Sequence, residues 1–174
     1  MVLPDCFMKN TPRLLKSIFT VFSLLSVLQF AAAQNVPVIN LDQLEERLEQ
    51  GRDTTYVVNF WATWCSPCVK ELPYFENLGE TRANKPFKVL LVTLDFAENL
   101  KTKVIPFIKK KEIKSEVLLL DESNPNKWIP RVSNAWSGAI PATIFINKQK
   151  KTRHFHEGSF KEGELDSKLN EIGL

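Results

Sequence analysis

Two cysteines separated by two residues, Cys65 and Cys68, lie in the stretch WATWCSPC that begins at Trp61. The run before them, Tyr56 to Trp61, is strand-like, and a helix-like run opens near Ser66. A Cys-x-x-Cys at such a junction sets the first sulfur at a helix N-terminus, where unpaired N–H groups and the macrodipole favour thiolate over thiol. The second sulfur, one turn later, can close a small disulfide ring with the first, so the pair can cycle between dithiol and disulfide. Zinc is the competing chemistry, and it needs two further ligands. His154 and His156 share a face of one predicted strand, a spacing that fits no compact finger, so no metal is expected.

Three other features could serve the pair. Glu71 stands three residues past Cys68, about one helical turn away on a neighbouring face. Partly buried, with a raised pKa, its carboxylate could take the proton of Cys68 and return it; the plainer reading is an acid favoured near a helix N-terminus. Ile140 precedes Pro141, and an X-Pro bond can be cis at modest cost, although local sequence alone favours a trans proline opening an edge strand. Trp61 and Trp64 flank the cysteines. Trp61 is expected to support the loop from within and Trp64 to offer an apolar rim, unless both are ordinary packing.

These residues need elements to hold them. Leu41, Leu44 and Leu48 recur at helical spacing, with Gly51 as a stop, after a short extended lead-in interrupted by Pro37. YVVNFW (Tyr56 to Trp61), FKVLLVTLD (Phe87 to Asp95) and EVLLLD (Glu116 to Asp121) are nearly continuous apolar runs, as expected of strands covered on both faces. Helices are predicted from Ser66 to about Arg82, with Pro73 kinking the middle, and from Glu98 to Glu112, with Pro106 bending or dividing it. The lysines of the second helix read as a solvated face rather than a docking patch. Glu122 to Gly138 is loop-like, with a short helix around Trp128 to Val132. ATIFIN (Ala142 to Asn147) and Lys151 to His156 form a predicted hairpin, and Glu162 to Ile172 a closing helix. Parallel crossovers followed by an antiparallel pair give an α/β sandwich, a central mixed sheet with helices on both faces.

Length bounds the rest. At 174 residues the chain suits one domain with a real core. Residues 1–33 read as a secretory leader: Lys9, Arg13 and Lys16 precede an apolar run from Ile18 to Phe30, and Ala31 to Ala33 offers a cleavage site. An uncleaved anchor is the alternative. Without the leader, 20 basic residues face 19 acidic ones, so nothing argues for nucleic acid. Cys6 goes with the leader, which leaves Cys65 and Cys68 alone in a domain, 34–174, expected outside the reducing cytoplasm.

With this order in hand, VVNFWATWCSPCVKELP resembles the active-site segment of the thioredoxin superfamily, and more narrowly its exported TlpA-like branch. GAIPATIFIN, Gly138 to Asn147, resembles the segment holding that family's cis-proline, and Gly158 falls where the family has a glycine after the hairpin. Ordinary thioredoxins carry a buried aspartate where this chain has Asn59; the TlpA-like branch has asparagine there and a glutamate at the place of Glu71. The resemblance implies a thioredoxin-like three-layer sandwich in which Cys65 attacks, Cys68 resolves and Glu71 moves the proton. It implies a cis Ile140–Pro141 bond beside Cys65 that receives an extended substrate, and Ser66 and Pro67 as the dipeptide that helps tune the potential. It also implies reduction of disulfides in exported, periplasmic proteins, in a setting such as cytochrome c maturation or oxidative-stress repair. The protein would need no bound cofactor, would act as a monomer, and would be recharged by a membrane thiol-disulfide carrier. Net disulfide oxidation or isomerisation, or a non-catalytic peptide-binding module, are the alternatives.

Overall fold

Tyr56 to Trp61 lies in the middle of the molecule because it has nowhere to expose a side chain. The computed structural model describes residues 35–51 and 53–174, and the leader expected at residues 1–33 lies outside them. In chain order the elements are β1 (Val38–Ile39), α1 (Leu41–Glu49), β2 (Thr55–Trp61), α2 (Ser66–Thr81), β3 (Phe87–Thr93), α3 (Ile105–Lys110), β4 (Glu116–Leu120), α4 (Pro125–Val132), β5 (Ala142–Asn147), β6 (Thr152–Glu157) and α5 (Glu164–Glu171). The six strands form one sheet in the order β1-β4-β3-β2-β5-β6. The first four run parallel, and β5 and β6 are antiparallel to their neighbours.

Strand alternation builds the two cores. Val57, Leu91, Val117 and Phe145 face one side, where Leu72, Phe75 and Leu78 of α2, Ile108 of α3 and Leu165 and Leu169 of α5 cover them. Val58, Phe60, Leu90, Leu118 and Ile144 face the other, beneath Leu41, Leu44 and Leu48 of α1 and Trp128 and Val132 of α4. All seven residues of β2 are buried, as two-sided covering requires. Each leucine of α1 contributes about 1.5–3 kcal/mol of transfer free energy by facing the sheet. The helix is entered through a capping box: the Asn40 side chain accepts from the Gln43 amide, and the Gln43 side chain accepts from the Asn40 amide, both at 2.9 Å.

The three prolines placed inside helices act differently. Helix α2 runs through Pro73 as one continuous element, at the loss of the amide that would bond the Val69 carbonyl. Pro106 divides its helix as expected: a 3-10 turn (Ala97–Asn99) and a π turn (Leu100–Val104) precede α3, which holds Pro106 in its first turn. Helix α4 begins at Pro125, three residues before the predicted start, because proline suits a first helical position; it also carries Pro130 inside it. Trp128, Val132 and Trp136 are buried, so this segment packs against the sheet.

Candidate active site

The parallel strand β2 ends at Trp61, and four residues turn the chain into α2. Cys65 is the N-cap of that helix, in extended conformation, and its Sγ accepts from the backbone N–H of Cys68 at 3.3 Å. The two sulfurs are joined in a disulfide, with Cα atoms 5.3 Å apart. Pro67 in the first turn supplies no amide, and Ser66 and Pro67 are exposed between the sulfurs. The pair is asymmetric: Cys65 keeps 6% of its surface, while Cys68 keeps none.

Ile140–Pro141 is cis, and the Ile140 carbonyl oxygen lies 3.7 Å from Cys65 Sγ. The loop before it is pinned from several sides. Trp136 Nε1 donates to the Ala139 carbonyl at 2.8 Å, and the Ser137 amide and hydroxyl donate to Glu157 at 2.7 and 2.6 Å. Those two bonds from Ser137, hydroxyl first, hold the Glu157 carboxyl below the usual range. The Gly158 amide then donates to the Pro141 carbonyl at 2.9 Å, with Gly158 at φ +122°, a conformation that explains the glycine.

Glu71 is 1% exposed. Its Oε1 accepts from Asn59 Nδ2 at 2.9 Å and its Oε2 from the Phe160 amide at 2.7 Å. Burial raises its pKa to about 7, against the opposing pull of those two hydrogen bonds. Asn59 Nδ2 also donates to Thr143 Oγ1 at 3.1 Å, and the Asn59 Oδ1 atom has no partner. A carboxyl that titrates near neutrality, one turn from a sealed cysteine, can receive and return a proton there. Of the two histidines, His154 is exposed and His156 is half-buried with its ring 4.2 Å from that of Phe160; burial first, then Lys168, lowers the His156 pKa.

The turn that carries Cys65 is also braced by residues the sequence does not flag. Asp95, buried just beyond β3, accepts from the Thr63 amide at 2.8 Å, the Thr63 hydroxyl at 2.6 Å and the Thr93 hydroxyl at 2.6 Å. The only sequence signal is a single acid closing an otherwise apolar strand. Asp95→Ala leaves three donors without an acceptor, and should cost about 2–4 kcal/mol, read as a lower urea midpoint at unchanged slope. A loss below about 1 kcal/mol would mean the turn is held by other contacts.

The structure thus brings Cys65, Cys68, Glu71, Ile140 and Pro141 to one end of the sheet, with Trp64 standing out from it at 66% exposure and Trp61 fully buried behind. No described helix is long and apolar enough to cross a membrane. Fold and cysteine pair together define a thiol-disulfide oxidoreductase built on a thioredoxin-like sandwich. Residues 31–172 match the redoxin family, and the chain belongs to it. Among the similar curated proteins are the thiol-disulfide oxidoreductase ResA of Oceanobacillus iheyensis, 27% identical over 78% of this chain and 70% of that protein, and the thioredoxin-like protein YneN of Bacillus subtilis, 27% identical over 79% and 78%. The thioredoxin-related protein of Neisseria meningitidis serogroup B shares the fold at a TM-score of 0.61, with 21% identity over 72% of this chain and 90% of its own. These likenesses agree with the TlpA-like branch that Asn59 and Glu71 suggest.

Proposed function

We propose that this oxidoreductase reduces disulfides of exported proteins, with Cys65 as the nucleophile, Cys68 as the resolving thiol and Glu71 as the proton carrier. The observation that carries the reading is the asymmetry of the pair: one sulfur caps a helix beside the Ile140 carbonyl, and the other is fully buried, about one helical turn before a buried carboxyl whose pKa is raised to about 7. The Cys65 thiolate attacks a client disulfide, forming a mixed disulfide and releasing one client thiolate, which takes a proton from water. Cys68 then gives its proton to Glu71 and attacks Cys65 Sγ. The mixed disulfide breaks, the Cys65–Cys68 bond forms, and the second client thiolate takes up a proton. The client gains two electrons and two protons, and a donor dithiol restores the pair.

No bound cofactor is required, since the electrons reside on the two sulfurs. The Ile140–Pro141 edge would receive the client as an extended segment, and Ser66 and Pro67 would help set the potential. Export rests on the leader read in residues 1–33, and the reducing direction on the TlpA-like resemblance; a membrane thiol-disulfide carrier is the expected donor, and cytochrome c maturation or repair of oxidised proteins the expected settings. Titration of the pair against a dithiothreitol or glutathione buffer tests the direction. A potential near that of thioredoxin, about −270 mV, is expected; one near about −120 mV would make the protein an oxidant, and a pair that never exchanges would leave a peptide-binding module.

A further inference from the structure

The polar residues behind Glu71 continue in a row to the edge of the sheet. Asn59 of β2 stands opposite Thr143 of β5, and Thr143 opposite His156 of β6, so the three side chains share one face. Asn59 bonds both Glu71 and Thr143. The Nε2 atom of His156, at the end of the row, is sealed from water and finds no hydrogen-bond partner among the described residues. It lies over Gly158, where a Cβ would stand 3.7 Å from it. A buried nitrogen left unpaired costs about 1–3 kcal/mol, so the ring is held there by something other than hydrogen bonding.

That contact is Phe160. The two rings lie 4.2 Å apart, inclined by 31°. Phe75 and Phe145 meet Phe160 edge-on, at 76° and 87° and at 6.3 and 6.1 Å. Edge contacts set the depth of the Phe160 ring, whereas His156 covers its face. The chain here lies between the end of β6 at Glu157 and the start of α5 at Glu164, so no ladder holds the Phe160 amide. The Gly158 amide is fixed on the Pro141 carbonyl, and two residues later the Phe160 amide reaches Glu71 Oε2.

We infer that His156 is a positioning residue: stacked on Phe160, it keeps that residue's amide on the Glu71 carboxylate and so governs the protonation of Glu71. This assignment rests on the reading of Glu71 as proton carrier and deepens it. The Phe160 amide bond favours the charged carboxyl against burial, so weakening it raises the Glu71 pKa further. Around His156 stand Lys168 and Glu164 of α5, His154 on the same face of β6, and Glu71 of α2. Burial and then Lys168 outweigh Glu164 and keep the imidazole neutral where Glu71 titrates, so two uncharged rings stack. Phenylalanine would stack as well, but on an edge strand it would leave an apolar ring half-exposed.

The amide of Phe160 reports on this directly. In NMR spectra of the oxidised, isotope-labelled protein its chemical shift should follow Glu71, with a midpoint near pH 7. In His156→Ala the midpoint should rise by about 0.5–1, and the amide should exchange with deuterium about tenfold faster. His156→Phe should restore both. His156→Leu keeps bulk without a flat ring; it should resemble the alanine variant, and stands in for it if that chain does not fold. A midpoint that stays or falls in the alanine and leucine variants, one that moves as far in His156→Phe, or a parent amide that does not titrate overturns the inference. The resolving step with a synthetic peptide disulfide separates the two readings, because its pH inflection should follow the amide midpoint in every variant. Amide midpoints that move while the inflection stays would keep His156 as a positioning residue of Glu71 and overturn the proton-carrier reading.

Discussion

Cys68→Ala should convert a catalyst into a trap. The first attack needs only Cys65, whose place at the N-cap of α2 and contact with the Cys68 amide do not depend on the side chain of residue 68. What disappears is the intramolecular thiol that releases the client, and its replacement by a dilute external thiol should lower turnover more than about a thousandfold. Mixed disulfides to client proteins should then accumulate on Cys65 and vanish on adding dithiothreitol, which non-reducing gels and mass spectrometry of the linked peptides would reveal. The reciprocal Cys65→Ala protein should trap nothing, because Cys68 has no exposed surface. Adducts on Cys68 in that variant, or none on Cys65 in the first, would reverse or remove the assigned roles. Identifying the trapped proteins would also name the clients.

The parts of this site that are legible in sequence are those decided locally. Two cysteines across a strand-to-helix junction declare their chemistry by spacing, and β2 declares its central place because a strand covered on both faces has no polar side to show. Leu41, Leu44 and Leu48 declare a helix in the same way. The hidden parts are decided by contacts distant in the chain. Phe160 lies 89 residues from the carboxylate that its amide bonds, and Asp95 lies 32 residues from Thr63. Neither backbone amides nor single buried acids leave a periodic signature. Pro141 shows the same limit from the other side. Local sequence favours trans, and the cis form stands where Trp136, Ser137 and Gly158 hold the loop around it. Glu71 falls between the two cases, since its spacing from Cys68 is local while its complete burial depends on Asn59, Thr143 and the chain near Phe160.

That burial makes Glu71 the residue through which pH should act on both stability and rate. Its folded-state pKa of about 7 lies above the ordinary 4.5. Between those values the folded protein keeps a proton that the unfolded chain has lost, so stability falls as pH rises through the window and is level on either side of it. The full change is on the order of 3 kcal/mol. Glu71→Gln removes the titration. Urea unfolding of the oxidised protein should therefore lose its slope between pH 4.5 and 7, and at pH 8 the variant should be more stable than the parent by about 1–3 kcal/mol. The amide can be accommodated because the Asn59 side chain has an unpartnered Oδ1; turning that group over lets it accept from the new Nε2, while the glutamine oxygen still accepts from the Phe160 amide. Catalysis should move the other way. With no acceptor for its proton, Cys68 resolves the mixed disulfide more slowly, by about ten- to a hundredfold at neutral pH, and the inflection near pH 7 should leave the rate profile of that step. A variant that gains stability yet keeps the parent's pH–rate curve would make Glu71 only a buried acid, with the proton of Cys68 going elsewhere.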